Sequence, residues 1–122
     1  VALKVLNLEA CEHFYCELLG MQVEWRPDKN SVYLSSGNDN LALHRITEAP
    51  EGLQSLDHIG FILDNPENVD SWFDFLRAHD VPMKTEPRTH RDAARSFYCL
   101  DPEGVTVQMI YHPPLASGIV AS

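Results

Sequence analysis

Seven side chains in this 122-residue sequence carry chemistry that could act on a small molecule: Trp25, His44, His58, His90, Arg95, Tyr98 and Gln108. His58 alternates with Gly60 and Ile62, so a strand through this stretch sends its imidazole to the face opposite Ile59, Phe61 and Leu63. Neutral imidazole is the commonest side-chain metal ligand; the plainer reading is a histidine at a strand start bonded to backbone. Gln108 shares a strand face with Thr106, Ile110 and His112. Its amide oxygen can coordinate a hard divalent ion, yet it brings no charge and is a poor base. A polar residue lining a substrate cup is the alternative. His44 alternates with Ala42 against Leu41 and Leu43, which makes it a metal ligand, a substrate contact or an edge-strand surface residue. Three neutral donors of this kind suit a borderline divalent ion better than a hard one. His90 and Tyr98 could shuttle protons to a substrate oxygen held at a metal. Arg95 and Trp25 are candidate substrate contacts, with a solvated turn charge and a dimer edge as their respective alternatives.

Elements must position these groups, and the sequence organises the elements as a repeat. At a shift of 58, Cys11, Phe14, Tyr15 and Leu18 fall on Val69, Trp72, Phe73 and Leu76. Both quartets have the i, i+3, i+4, i+7 spacing of one helix face. Asn7-Leu8-Glu9 and Asn65-Pro66-Glu67 each read as an N-cap followed by an acidic first turn. Ahead of each helix, Val1, Leu3 and Val5, and then Ile59, Phe61 and Leu63, alternate along a strand whose apolar side carries the helix. The opposite side, with Ala2 and Gly60, leaves room. Three strands follow each helix, predicted over 21–26, 31–35 and 40–45 and over 82–87, 95–100 and 104–111. Ser35-Ser36-Gly37-Asn38-Asp39 and Asp101-Pro102-Glu103-Gly104 supply turns.

The expected fold class is α+β, with βαβββ occurring twice in one domain: module one at 1–45, a linker at 46–55, module two at 56–112 and a tail at 113–122. The repeat also assigns counterparts. A matching face requires an even offset, so Gln108 corresponds to Ala42 or His44, and hairpin length decides between them. The counterpart of His58 falls immediately before Val1. His13 and His79 are expected on polar helix faces, while Phe14, Tyr15, Trp72 and Phe73 are expected between helix and sheet.

Charge and cysteine usage exclude several classes. Eighteen acidic residues against nine basic ones give a net charge of −9, the opposite of what phosphate contacts in nucleic acid or an anionic membrane surface require. No apolar run approaches the ~18 residues of a membrane span, and no secretion-signal pattern opens the chain. The three cysteines are odd in number and form no CxxC; Cys11 and Cys16 lie about 140° apart on one helix. A reduced, cytoplasmic protein is expected. GxGxxG, P-loop and GxSxG motifs are absent from the sequence.

The runs Phe14-Tyr15-Cys16-Glu17-Leu18-Leu19-Gly20-Met21, Asp57-His58-Ile59-Gly60-Phe61 and Ser96-Phe97-Tyr98-Cys99-Leu100-Asp101-Pro102-Glu103-Gly104 resemble the vicinal oxygen chelate superfamily. That group includes glyoxalases, fosfomycin and bleomycin resistance proteins and extradiol ring-cleaving dioxygenases. The resemblance implies that each module curls a mixed sheet into a cup, with helices on the outer face, and that two cups pair across a homodimer. Where a divalent metal is present (Zn, Ni, Mn or Fe), the first and last strands of the modules supply its ligands. On that pattern His58 is a first-strand ligand, and Gln108 stands where metal-binding relatives carry glutamate. His44 and a residue ahead of Val1 would complete the shell. The segment from His90 to Tyr98 is similar to one that supplies acid–base groups in ring-cleaving dioxygenases. Two functions are implied. One is a metal-dependent lyase, isomerase or dioxygenase acting on a small substrate with vicinal oxygens. The other is a metal-free protein of the bleomycin-resistance type that sequesters a small molecule, for which an acidic surface favours a cationic ligand. A third possibility is one module of a larger enzyme assembled in trans.

Overall fold

The computed structural model describes residues 1–48 and 56–113. Residues 49–55 of the expected linker and 114–122 of the expected tail lie outside the described residues. The chain divides into two compact units, Val1–Gln54 and Ser55–Ser122, and each is one copy of the repeat.

The first unit runs β1 (Ala2–Val5), α1 (Leu8–Glu12) continuing into a π-helical segment (His13–Leu18), β2 (Gln22–Asp28), β3 (Ser31–Ser35) and β4 (Leu41–Arg45). Its sheet has the order β1-β4-β3-β2, with β1 parallel to β4 and the remaining pairs antiparallel. The second unit runs β5 (Ile59–Ile62), α2 (Pro66–Ala78), β6 (Arg88–Thr89), β7 (Arg95–Leu100) and β8 (Thr106–Tyr111). Its order, β5-β8-β7-β6, repeats the same topology, with β5 parallel to β8.

Both helices start as expected. Asn7 Oδ1 accepts the Ala10 N–H at 3.0 Å, and Asn65 Oδ1 accepts the Asn68 N–H at 3.0 Å, satisfying donors that a helix start leaves unpaired. Each helix buries three of its four apolar quartet residues against alternate residues of its sheet. Cys11, Phe14 and Tyr15 are buried with Leu3, Val5, Val32, Leu34 and Leu43; Val69, Phe73 and Leu76 are buried with Phe97, Cys99, Val107 and Met109. Phe73 meets Phe97 edge to face at 5.4 Å. The first helix departs from a regular α-helix: the Leu19 N–H reaches back to the Phe14 carbonyl at 3.1 Å, an i→i+5 bond. The widened turn accommodates two consecutive rings in the core, Phe14 and Tyr15, packed edge to face at 4.9 Å.

Two expectations need correction. The strand predicted over 82–87 does not form; pairing there reduces to a Met83–Cys99 bridge, and regular pairing starts only at β6. Pro82 and Pro87 carry no N–H for a ladder, and the Lys84 and Thr85 N–H groups both point at the Tyr98 carbonyl (2.8 and 3.1 Å). Trp72 is not core packing: it is half-exposed and stacks edge-on against the exposed Phe75 at 5.6 Å. His13 and His79 are exposed as expected. The Asp101–Gly104 turn forms, closed by Gly104 N–H to the Asp101 carbonyl at 2.9 Å, with Gly104 at φ +84°.

The strand registers decide the counterpart of Gln108. Ala2 pairs with Ala42 and Gly60 pairs with Gln108. Because Gly60 is the repeat partner of Ala2, Gln108 corresponds to Ala42, and His44 corresponds to Ile110.

Candidate functional site

In each sheet, alternation leaves one face to the helix and one face open. The open face of the second unit carries a row of three residues across three strands: Tyr98 pairs with Gln108, and Gln108 with Gly60. Gly60 leaves the Gln108 side chain bordered by backbone on that side. A Cβ at Gly60 would stand 3.5 Å from Gln108 Oε1 and 3.8 Å from its Cβ. The amide Nε2–H donates to Tyr98 Oη at 3.1 Å. His58, just ahead of β5, lies edge to face with the Tyr98 ring at 5.6 Å. Its Nδ1 is 2.7 Å from Asp57 Oδ2. A carboxylate there fixes the proton on Nδ1 and presents Nε2 outward. The bond from His58 in turn holds the Asp57 carboxyl below its usual range.

At the other end of β8 lies a concavity of about 530 Å³ lined by His90, Arg91, Asp92, Gln108, Ile110 and His112. His112 Nε2 is 3.4 Å from Asp92 Oδ2, and His90 Nε2 is 3.4 Å from Ser96 Oγ. The Ala94 N–H donates to Asp92 Oδ1 at 3.0 Å and is the main cause of that carboxyl's lowered pKa. His90 and Tyr98 therefore approach Gln108 from two sides, one across the concavity and one by a hydrogen bond.

Arg95 stands elsewhere. It shares a strand face with Phe97 and Cys99, which are buried beneath α2, so alternation turns it toward the helix. Its Nε and Nη2 donate to Asp70 at 2.9 and 2.7 Å, and Nη1 donates to Thr89 Oγ1 at 2.9 Å. Its donors tie strand to helix through Asp70 and brace β6 through Thr89.

The open face of the first unit is aromatic. Trp25 of β2 stacks on Tyr33 of β3 with centroids 5.2 Å apart and planes 26° apart. Tyr33 meets His44 of β4 edge to face at 5.9 Å, and His44 Nδ1 is 3.0 Å from Ser31 Oγ. A shift in the β2–β3 register produces this ladder. Val23 pairs with Leu34, but Trp25 pairs with Tyr33, so Glu24 is the extra residue of a bulge that swings the indole onto the open face. Trp25 thus joins the open face, the choice that sequence alternation leaves undecided. Neither Tyr33 nor Asp57 is among the site residues expected from the sequence. Tyr33 had a signal: it occupies in β3 the place that Tyr98 occupies in β7, each facing the residue that pairs with the first strand.

A divalent ion in the second unit would have to be held by His58 and Gln108. His58 Nε2 and Gln108 Oε1 are neutral, and the Gln108 amide is already bonded to Tyr98. No group of three His, Cys, Asp or Glu side chains among the described residues could hold one ion. Two neutral donors without a carboxylate do not make a divalent site, so this unit's donor set does not fit the metal that the resemblance implies.

Fold and site together define a paired βαβββ protein whose open sheet faces carry aromatic, imidazole and amide groups. The chain belongs to the Glyoxalase/Bleomycin resistance protein/Dioxygenase superfamily, whose model matches residues 1–109. Solved structures agree on the fold. A lactoylglutathione lyase from Agrobacterium tumefaciens is 23% identical, with a TM-score of 0.76 over 91% of this chain and 90% of that one. A glyoxalase/dioxygenase from Nostoc punctiforme is 19% identical, with a TM-score of 0.77 over 93% and 88%. A genomically encoded fosfomycin resistance protein from Listeria monocytogenes is 17% identical, with a TM-score of 0.77 over 95% and 93%. No curated protein matches the chain.

Proposed function

We propose that this protein binds a small organic molecule on its open sheet faces without a resident metal, as a sequestering or binding member of the superfamily. One observation carries the reading. At the two repeat-equivalent positions where the last strand of a module meets its first strand, the side chains are the Gln108 amide and the Ala42 methyl, the latter 3% exposed. Neither can supply the negative oxygen that a hard divalent ion prefers. The same faces offer what a small molecule needs: the Trp25 and Tyr33 rings for stacking, and His58, Gln108 and Tyr98 for hydrogen bonds.

A specific observation favours the second reading, a metal-dependent lyase, isomerase or dioxygenase using Zn, Ni, Mn or Fe. The Asp57 carboxylate orients His58 with Nε2 outward, as it would a ligating histidine. In that reading His58, Gln108 and His44 are ligands, and His90 and Tyr98 move protons. Elemental analysis of the full-length protein, purified without chelator, separates the two. Metal well below one equivalent, unchanged in His58→Ala, is expected. Near-stoichiometric metal that falls in His58→Ala would overturn the binding-protein reading.

A homodimer is part of the proposal. It follows the family resemblance and the edge strand β2, whose residues are all exposed, Val23 at 45% among them. Size-exclusion chromatography with light scattering tests it, and a monomer at all concentrations would overturn it. A cytoplasmic location is proposed on the three cysteines, none of which forms a disulfide among the described residues; no described helix is long and apolar enough to cross a membrane.

A further inference from the structure

The two faces differ in what they would select. The first unit's open face combines a flat aromatic surface with an imidazole and an ammonium group at one end. Trp25 and Tyr33 stack across β2 and β3, and the exposed indole leaves ring surface for a third flat ring. Beyond Tyr33 comes His44, whose Nδ1 is occupied by Ser31, leaving Nε2 as its outward atom. One strand further, Lys4 pairs in register with His44. Lys4 alternates with the buried Leu3 and Val5 and is itself exposed, so its ammonium belongs to the open face. Among the described residues it has no carboxylate partner, unlike Arg26, Arg45, Arg77 and Arg95, which are held by Glu12, Glu9, Asp74 and Asp70. Carboxylates also border this face: Asp28 closes the row Lys4–His44–Ser31 on β2, with its Oδ1 accepting the Asn30 N–H at 2.8 Å, and Asp39 accepts from Ser35 Oγ at 3.3 Å on the other side of Tyr33.

We infer that this face is a shelf for a planar aromatic acid: its ring stacks on Trp25 and Tyr33, and its anionic group points diagonally across the strands, past Tyr33, toward His44 and Lys4. The inference deepens the small-molecule-binding reading and rests on it. It reverses, at this place, the preference for a cationic ligand that the net charge of −9 suggests, because a bound molecule meets the charges of one face rather than the sum over the surface.

The test is a fluorescence titration of the full-length protein carrying Trp72→Phe, in which Trp25 is the sole tryptophan. Benzoate, benzyl alcohol and acetate are the probes. Benzoate is expected to change Trp25 emission saturably, while benzyl alcohol, which has the ring without the charge, and acetate, which has the charge without the ring, each bind about tenfold more weakly or worse. Lys4→Gln and His44→Gln are expected to weaken benzoate by about tenfold and leave benzyl alcohol unchanged. Absence of a saturable benzoate response, an equal response to acetate, or a benzoate affinity indifferent to both substitutions would overturn the inference. Adding chelator throughout keeps the outcomes separable: metal found at His58 would sink the metal-free reading while leaving this titration as it stands.

Discussion

Two glycines predict opposite outcomes for the same substitution. Gly60 lies in a strand with ordinary backbone angles, and an added Cβ would make contacts at 3.5, 3.7 and 3.8 Å with Gln108, all within normal van der Waals range. Gly60→Ala therefore adds no clash and removes the entropic penalty of a strand glycine, about 0.5–1 kcal/mol. Gly104 has nothing within 4 Å of its Cβ position but sits at φ +84°. An alanine there has space yet pays about 1–2 kcal/mol for the left-handed conformation, which exceeds the ~0.4–1 kcal/mol gained from the unfolded chain. The unfolding entropy of a chain this long is about 0.26 kcal/mol/K, so 1 kcal/mol moves Tm by roughly 4 °C. Gly60→Ala should raise Tm by about 2–4 °C and Gly104→Ala should lower it by about as much. Differential scanning calorimetry on the two variants and the parent decides it. If Gly60→Ala unfolds below the parent, the Gly60–Gln108 register is wrong, and with it the assignment of Ala42 as the counterpart of Gln108. If Gly104→Ala is neutral, conformational strain is not what reserves that position for glycine.

Other outcomes follow from the same structure. Asp70→Asn should cost about 1 kcal/mol at neutral pH, the upper range for a half-exposed pair with two hydrogen bonds to Arg95. Arg95 lowers the folded pKa of Asp70, so this stability is present above the unfolded value near 4 and disappears as pH falls through the folded one; urea titrations at pH 7 and pH 3 should show the gap closing. Phe97→Ala, at a fully buried ring packed on Phe73, should lower the urea-derived stability by about 3–5 kcal/mol. Burial pushes the Cys99 thiol up to about 12, so at pH 8 a thiol reagent should leave Cys99 unmodified in the folded protein and label all three cysteines only in denaturant; rapid native labelling of Cys99, located by peptide mapping, would contradict its burial.

What could be read in the sequence, and what could not, divides along a physical line. Burial imposes periodicity, so the quartets ending at Leu18 and Leu76, the alternating strands and the two asparagine caps were all legible. The failures occur where one residue more or less changes a direction. Trp25 faces Tyr33 only because Glu24 is bulged out of the β2 ladder, and composition alone does not signal a bulge at glutamate. His44 and Ala42 compete as the counterpart of Gln108 because both share a face, and only the parallel register with β1 separates them. The stretch at 82–87 alternates like a strand but contains two prolines, and the N–H groups they lack prevent regular pairing. Arg95 shows the converse. Its alternation with Phe97 and Cys99 puts it on the helix side of β7, where it pairs with Asp70.

That ordering bears on function as well. Four of the six histidines, His44, His58, His90 and His112, stand on open strand faces or at the mouth of the second unit's concavity. An acidic protein that gathers its imidazoles there presents a local surface unlike its average. Metal ligation would explain such a gathering if carboxylates accompanied it at the strand positions that converge, but Ala42 and Gln108 occupy those positions. Imidazoles without converging carboxylates act instead as hydrogen-bond donors and acceptors toward an uncharged or anionic organic ligand. On the proposed reading, these imidazoles serve recognition of a molecule rather than of an ion.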